Sequence, residues 1–419
     1  MFLIMLLEFS MKKNHKKFIN LIYISISIIL SLFIIKISNN FEFWTNFFKL
    51  FGISSLWPSF GDFRSHQTLP LTVDQNINPY FEHPNDPWNR TINYPFVWYY
   101  ISKNFNLLNE HIFLIIMFSL VSLYTFSVFK LMDLINSKLI VKLIIPIFFL
   151  SSSSMLTIER GNTDIILFIS IFFICYINNL NISFLLYLFS SIIKIYPLII
   201  GYIFVDNIRN LILILFILIV VFLFNLEYLH FYLSNTSSTY DSGFVYGVKS
   251  LLNGYPKALD RMGINISKNF IIDSFIYIAI LSSVLYSFLY GFKKEKVISE
   301  KKKLDLNEKL FLTSSTIYIG TFIILSNYDY RLIFLIMTMP FICRNNLKLI
   351  DLIFIFCFLI SINSILIFGF VKNPIGYLYV GTSIHLCKIY MLIYLSYNIS
   401  KILKRNINFF SFKFLKFLT

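Results

Sequence analysis

Apolar residues run along this chain in long blocks separated by short polar or basic connectors. The first block follows the cluster Lys12, Lys13, Lys16 and Lys17 and continues to about Ile35. No small-residue cleavage site follows it, so it reads as a retained first span with its N-terminus on the cytoplasmic side. Further blocks at roughly 110–130, 139–156, 164–178, 211–228, 269–291, 310–326, 331–343, 349–371 and 384–400 predict more membrane-embedded helices. Residues 38–94 form the longest polar segment, punctuated by Pro58, Pro70, Pro79, Pro84 and Pro87. An irregular stretch of this length is commonly a lid or a binding element. After it, Phe96, Trp98, Tyr99 and Tyr100 predict an aromatic interfacial segment over 95–105, and a second polar stretch covers 229–268.

The lysines set the parity of these blocks. Residues 292–309 hold Lys293, Lys294, Lys296, Lys301, Lys302, Lys303 and Lys309, and the tail is basic at Lys401, Lys404 and Arg405. If 182–205 crossed the membrane once, the lysine-rich segment would fall outside, against the positive-inside bias. Lys194 and Pro197 break that block into two arms of roughly 10–12 residues, about half the ~20 that a span needs. A re-entrant hairpin over 182–205 restores the parity. The expectation is therefore an all-α polytopic membrane protein of about 10–12 transmembrane helices, a single integral domain over 1–419 with a large first extracytoplasmic loop. The outer face then collects 38–94, 156–164, 229–268, 327–331 and 372–383, and the inner face mostly short basic connectors.

Composition agrees. The chain is 57% apolar and 19% aromatic but only 14% charged, with a mean hydropathy of +0.72, whereas soluble domains carry about 25% charged residues. This excludes a soluble, disordered, collagenous or disulfide-scaffold protein. The net charge of +15 lies in connectors between apolar blocks, so it is read as orientation in a bilayer and not as a nucleic-acid surface. Cys175, Cys343, Cys357 and Cys387 show neither disulfide nor zinc spacing. Abundant Ile, Phe, Asn and Lys point to an AT-rich genome, in which a sequon such as Asn89-Arg90-Thr91 arises by chance. A bacterial cytoplasmic membrane is the expected location.

Four polar constellations stand out on the outer face. Asp62 lies among aromatic residues in Phe60-Gly61-Asp62-Phe63-Arg64; it suits a general base, or else a helix cap or a partner of Arg64. Glu159-Arg160-Gly161-Asn162-Thr163-Asp164 gathers acids, a guanidinium and an amide at the start of a span. It reads equally as a polar knot beside an anion site and as plain helix capping. Lys194 stands in the middle of an apolar run, which costs roughly 2.5–3.5 kcal/mol on insertion scales. It needs a partner: Glu159, Asp164 or a bound anion. Asn327-Tyr328-Asp329-Tyr330-Arg331 offers an arginine able to hold phosphate through paired hydrogen bonds, or a turn closed by an Asp–Arg pair. There is no metal spacing, phosphate loop or nucleophile elbow. No cofactor is expected, although a divalent cation held by Asp62 or Asp164 with phosphate oxygens would leave no recognisable spacing.

One outward acid, several cations at membrane depth and an aromatic loop suit glycosyl transfer from a polyprenyl-phosphate sugar. The phosphate leaves as an anion and needs no acid, unlike the carboxylate pair of glycoside hydrolysis. A single carboxylate deprotonates the acceptor hydroxyl while cations stabilise the departing phosphate. The order Gly61-Asp62-Phe63-Arg64, Tyr94-Pro95, Glu159-Arg160-Gly161-Asn162-x-Asp164, Lys194-x-x-Pro197 and Tyr328-Asp329-Tyr330-Arg331 resembles the GT-C glycosyltransferases. It is most similar to glycosyltransferase family 87, the polyprenyl-phosphate-mannose-dependent mannosyltransferase-like group, over about residues 20–345. The resemblance implies a GT-C-like bundle with Asp62 as catalytic base. It also implies that Arg64, Glu159, Arg160, Asn162, Asp164, Lys194, Tyr328, Asp329 and Arg331 lie around the donor phosphate and substrate, with a lipid or glycan acceptor. Arg160 and Asp164 depart from the family, where many members are neutral around the Gly161-Asn162 core. Two other readings stand beside it. An O-antigen polymerase or ligase usually carries its main loop late in the chain. A transporter or flippase of lipid-linked sugars should show paired broken helices in two related halves, and no internal repeat is visible.

Overall fold

A computed structural model describes residues 2–135, 139–204, 208–225, 245–248, 250, 252, 270–296, 304–324, 327–344, 346–371 and 373–406. Most of the outer stretch 229–268 and the centre of the basic segment 292–309 lie outside the described residues. Among the described residues the regular structure is helical, apart from one antiparallel pairing of two residues on each side.

The chain opens with α1 (Phe2–Ile37), followed by α2 (Phe41–Lys49), α3 (Gly61–Asp74) and α4 (Val97–Asn104), all three within or just after the polar stretch predicted to be irregular. Then come α5 (Glu110–Leu131), α6 (Leu139–Lys142), α7 (Ile144–Phe149), α8 (Ser152–Arg160), α9 (Asp164–Tyr176) and α10 (Leu180–Ile193). A 3-10 segment, Tyr196–Phe204, leads to α11 (Ile208–Asn225) and β1 (Val245–Tyr246). After α12 (Phe270–Lys294) and α13 (Leu306–Ile324), β2 (Asn327–Tyr328) pairs with β1 and runs into a second 3-10 segment, Asp329–Thr338. The chain closes with α14 (Met339–Ile342), α15 (Leu349–Ile362), α16 (Ser364–Gly369) and α17 (Pro374–Arg405).

Four helical stretches, Lys17–Ile37, Glu110–Leu134, Ile272–Lys294 and Ile375–Arg405, are long and apolar enough to cross a membrane. At 1.5 Å per residue, a helix such as α5 reaches about 33 Å, against a hydrocarbon core of ~30 Å. Their outward faces are apolar, as at Leu32, Ile115, Phe275 and Leu386, which is what lipid requires and water penalises. This is a helical membrane protein.

Several predicted spans are interrupted, each for a local reason. The block 139–156 is three short helices: Pro146 lies in α7, and Ser151 caps α8 by accepting from the Ser154 amide. Block 349–371 is divided at Asn363, between α15 and α16. Block 331–343 is mostly 3-10 helix. Block 182–205 breaks at Lys194, whose backbone is extended (φ −157°, ψ 135°), and its second arm lies back along the first. Tyr187 donates its hydroxyl to the Leu198 carbonyl at 2.9 Å, and the rings of Phe184 and Phe204 meet at 4.8 Å.

The bundle has two chemically distinct ends. At one, Lys130 and Asp133 of the α5 end meet Asn20 and Tyr23 of α1, Arg344 pairs with Asp305, and Lys401 pairs with Glu295. The polar stretch 38–94, the α8–α9 junction and the start of the second 3-10 segment lie at the other. The tip of the broken hairpin, Lys194, reaches this second end.

Candidate functional site

The site is built at a backbone junction between α3 and α8. Gly161 caps α8 in the left-handed region (φ 57°), and a Cβ there would lie 3.0–3.1 Å from the Phe60 and Phe63 Cβ atoms and Met117 Cε. Glycine thus provides both the turn and the close approach. Phe60, immediately before α3, is also left-handed (φ 62°) despite its side chain, a conformation that costs roughly 1–2 kcal/mol for an L-residue. Its ring is fully buried against Trp44 and Phe113, and its amide donates to the Glu159 carbonyl at 3.2 Å. Packing therefore holds the strained turn that delivers Asp62 to the first turn of α3, where the helix dipole favours a carboxylate.

Asp62 has two partners. Asn162 Nδ2 donates to Oδ2 at 2.7 Å, and Arg90 Nη1 donates to Oδ1 at 3.0 Å. Arg90 is itself clamped by Asp86 and by the Gly61 carbonyl. Burial alone would raise the Asp86 pKa, but Arg90 and the amides of Trp88 and Arg90 hold it below the usual carboxylate range. Asn162 Nδ2 also lies 3.4 Å from the Tyr94 hydroxyl. Burial, with Asp62 and Asp164 nearby, pushes the Tyr94 phenol up, so it stays protonated.

Next to this lies a second cluster. Asp164 Oδ1 accepts from Lys194 Nζ at 2.5 Å and from the Tyr196 hydroxyl at 2.7 Å, while Oδ2 faces Arg331 Nε at 3.4 Å. Lys194 also donates to Thr163 Oγ1 and sits 5.2 Å above the Tyr94 ring. The Arg331 guanidinium stacks over Tyr196 at 5.0 Å. Asp164 and Lys194 are closed off, with side chains 0% and 3% exposed. Asp62 at 16%, Arg331 at 15% and Arg90 at 36% form the reachable edge. Beside the hairpin tip, an apolar groove of about 490 Å³ is lined by Ile195, Leu198, Leu218, Val221 and Phe222.

Of the residues singled out in sequence, the fold brings Asp62, Asn162, Asp164, Lys194 and Arg331 together. Glu159 and Arg160 form the flank. Glu159 Oε1 accepts the Leu56 amide at 2.7 Å, and Oε2 contacts Arg160 Nε at 3.0 Å. Burial pushes the Glu159 carboxyl up to about 7, with Arg160 and the Leu56 amide opposing. Arg64 lies elsewhere: it forks onto Glu110, bonds Gln67 and the Ser59 carbonyl, and covers the Phe113 ring. Asp329 turns away from the cluster to Lys388 and Ser364, and Tyr328 stacks on Tyr330. Among the described residues, no cluster of three or more metal-ligating side chains exists.

Sequence reasoning passed over Arg90 and Tyr196, and carried Tyr94 only within the Tyr94-Pro95 motif, without a role in the site. Arg90 sits in a sequon that was set aside, and its only local signal is Asp86 four residues earlier. Tyr196 lay inside the Lys-x-x-Pro motif, where only the lysine carried an obvious cost. Comparison with protein-family models, with curated proteins and with solved structures returns no match for this chain.

Proposed function

We propose that this protein is a membrane glycosyltransferase of GT-C type, moving a mannose-like hexose from a polyprenyl-phosphate donor to a lipid or glycan acceptor. In this reading the end carrying Asp62 is extracytoplasmic, the basic end is cytoplasmic, and 182–205 is a re-entrant hairpin within a bundle of about 10–12 crossings. The observation that carries it is the adjacency of one reachable carboxylate, Asp62, to the cations Arg90, Lys194 and Arg331. The apolar groove begins at Ile195, next to Lys194.

Each group has a task in such a transfer. A carboxylate offers about four lone-pair positions, so Asp62 can hold Arg90 and Asn162 and still accept the acceptor's hydroxyl proton. Arg331 and Lys194 oppose the negative charge that grows on the departing phosphate. The groove takes the isoprenoid chain, which leaves the phosphate at the polar end of the site. Asn162 and Arg90 keep the Asp62 carboxylate oriented.

The test is transfer from a panel of radiolabelled polyprenyl-phosphate sugars in membranes, comparing the wild type with Asp62→Asn. Loss of a general base lowers the rate by about 10²–10⁴-fold. Transfer unchanged in a well-expressed variant would remove Asp62 from the role of base. No transfer from any donor by intact wild type would move the protein toward a transporter or an O-antigen ligase-like enzyme.

A further inference from the structure

The two elements that carry the site rest on a common support. α8 ends at Glu159 and Arg160 and leads through Gly161 to Asn162. At its other end the Ser152 amide donates to Asn363 Oδ1 at 3.1 Å, and Ser153 Oγ donates to the Ile362 carbonyl at 2.8 Å. The 3-10 segment that carries Arg331 starts at Asp329, whose carboxylate takes Lys388 Nζ at 2.7 Å and a hydrogen bond from Ser364. Thr157 Oγ1 reaches the Tyr330 carbonyl at 3.4 Å and joins the two elements. Ser152, Ser153, Asp329, Ser364 and Lys388 are all fully buried. The joint at Asn363 between α15 and α16, together with Lys388 of α17, therefore contacts the bases of both site-bearing elements.

A 3-10 helix has three residues per turn, so side chains two apart diverge by about 120°. Asp329 can then be held by the C-terminal helices while Arg331 reaches Tyr196 and Asp164. A fully buried ion pair is a poor source of stability, because desolvation offsets most of the attraction, whereas it does define a register. Polar groups of this kind inside a membrane bundle usually serve function.

We propose that Lys388 is a positioning residue that acts through Asp329 on Arg331. With Asn363 and Ser364 it forms a polar clamp that keeps Arg331 and Asn162 in register. The site is thereby coupled to the C-terminal helices α15 to α17, to which sequence reasoning assigned no role. The clamp itself stands on the geometry; its effect on turnover rests on the glycosyltransferase reading.

The experiment uses the full-length protein in nanodiscs with the double variant Lys388→Met, Asp329→Asn, which removes the pair without leaving a lone buried charge. Hydrogen–deuterium exchange is read over 327–332 and 152–162, with α5 as the internal control. The clamp predicts exchange faster by about tenfold in those two segments and unchanged in α5. It also predicts a KM for the polyprenyl-phosphate sugar raised by about tenfold, with a smaller change in kcat. Exchange that is unchanged, or that rises equally in α5, overturns the clamp. Local loosening with an unchanged KM keeps the clamp and overturns its action on Arg331. Absence of any transfer by the wild type overturns the glycosyltransferase reading, while the exchange data still decide the clamp.

Discussion

Asn162 Nδ2 lies 2.7 Å from Asp62 Oδ2, although 100 residues of chain separate them. The contact depends on two left-handed residues, Phe60 and Gly161, packed against each other where α3 begins and α8 ends. Because Asn162 donates to a carboxylate that its own helix junction positions, the pair behaves as one unit.

Asn162→Ala should therefore impair the proposed reaction through Asp62. A hydrogen bond to a charged group contributes about 1.5–3 kcal/mol, so kcat/KM should fall roughly 10–100-fold. Asn162→Asp should do worse, since it sets a second carboxylate against the first. Steady-state transfer at matched expression checks both, and full activity in either variant would detach Asn162 from the site.

Gly161→Ala tests the junction itself. The substitution demands a left-handed alanine, costing roughly 1–2 kcal/mol, and places a methyl group within 3.0–3.1 Å of the Phe60 and Phe63 Cβ atoms and Met117 Cε. The thermal midpoint in detergent should drop clearly. Gly369→Ala, where nothing lies within 4 Å of the added carbon, should leave it nearly unchanged. Equal midpoints for the two variants would contradict the packing described.

The fold class was legible because lipid imposes it: long apolar blocks and clustered lysines leave few alternatives. Asp62, Asn162, Asp164, Lys194 and Arg331 were legible too, since polar groups in so apolar a chain are costly and need partners. Asp164 stood among the candidate partners of Lys194 and is the one it meets; the partners of the others were not legible. Arg64 follows Asp62 by two residues, which on an α-helix directs it to another face, and there it meets Glu110, 46 residues on. Asp329 and Lys388 are 59 residues apart, and nothing in the local pattern of α17 marks Lys388 as paired. Short helices within 38–94 were hidden by proline, yet Pro70 lies inside α3.

Glu159 makes stability depend on pH near neutrality. Its carboxyl is raised from 4.5 to about 7 by burial, so the folded state keeps a proton that the unfolded chain releases. The stability it allows is complete below about 4.5 and is lost as pH rises through about 7, by at most roughly 3 kcal/mol. Glu159→Gln should remove this slope, so thermal midpoints measured between pH 5 and 8 should lie closest near pH 5 and diverge towards pH 8 in favour of the variant. A wild-type slope retained by Glu159→Gln would assign the effect to another group.

His66 should act in the opposite direction. Its ring is fully buried, stacked on Trp98 at 4.1 Å and edge-on to Tyr94 at 4.5 Å, and among the described residues neither ring nitrogen has a hydrogen-bond partner. Burial, reinforced by Lys194 and Arg90, holds its pKa well below 6.5. The folded state thus refuses a proton that the unfolded chain accepts, and stability present above pH 6.5 is lost as pH falls below it. His66→Phe removes both the titration and two unpaired nitrogens, an omission worth about 1–3 kcal/mol, while keeping a ring between Trp98 and Tyr94. The variant should melt higher than wild type at every pH and lose the acid branch of the stability profile. A variant that melts lower at pH 7.5 would show that the imidazole nitrogens have a partner, and would make His66 part of the site beside Asp62.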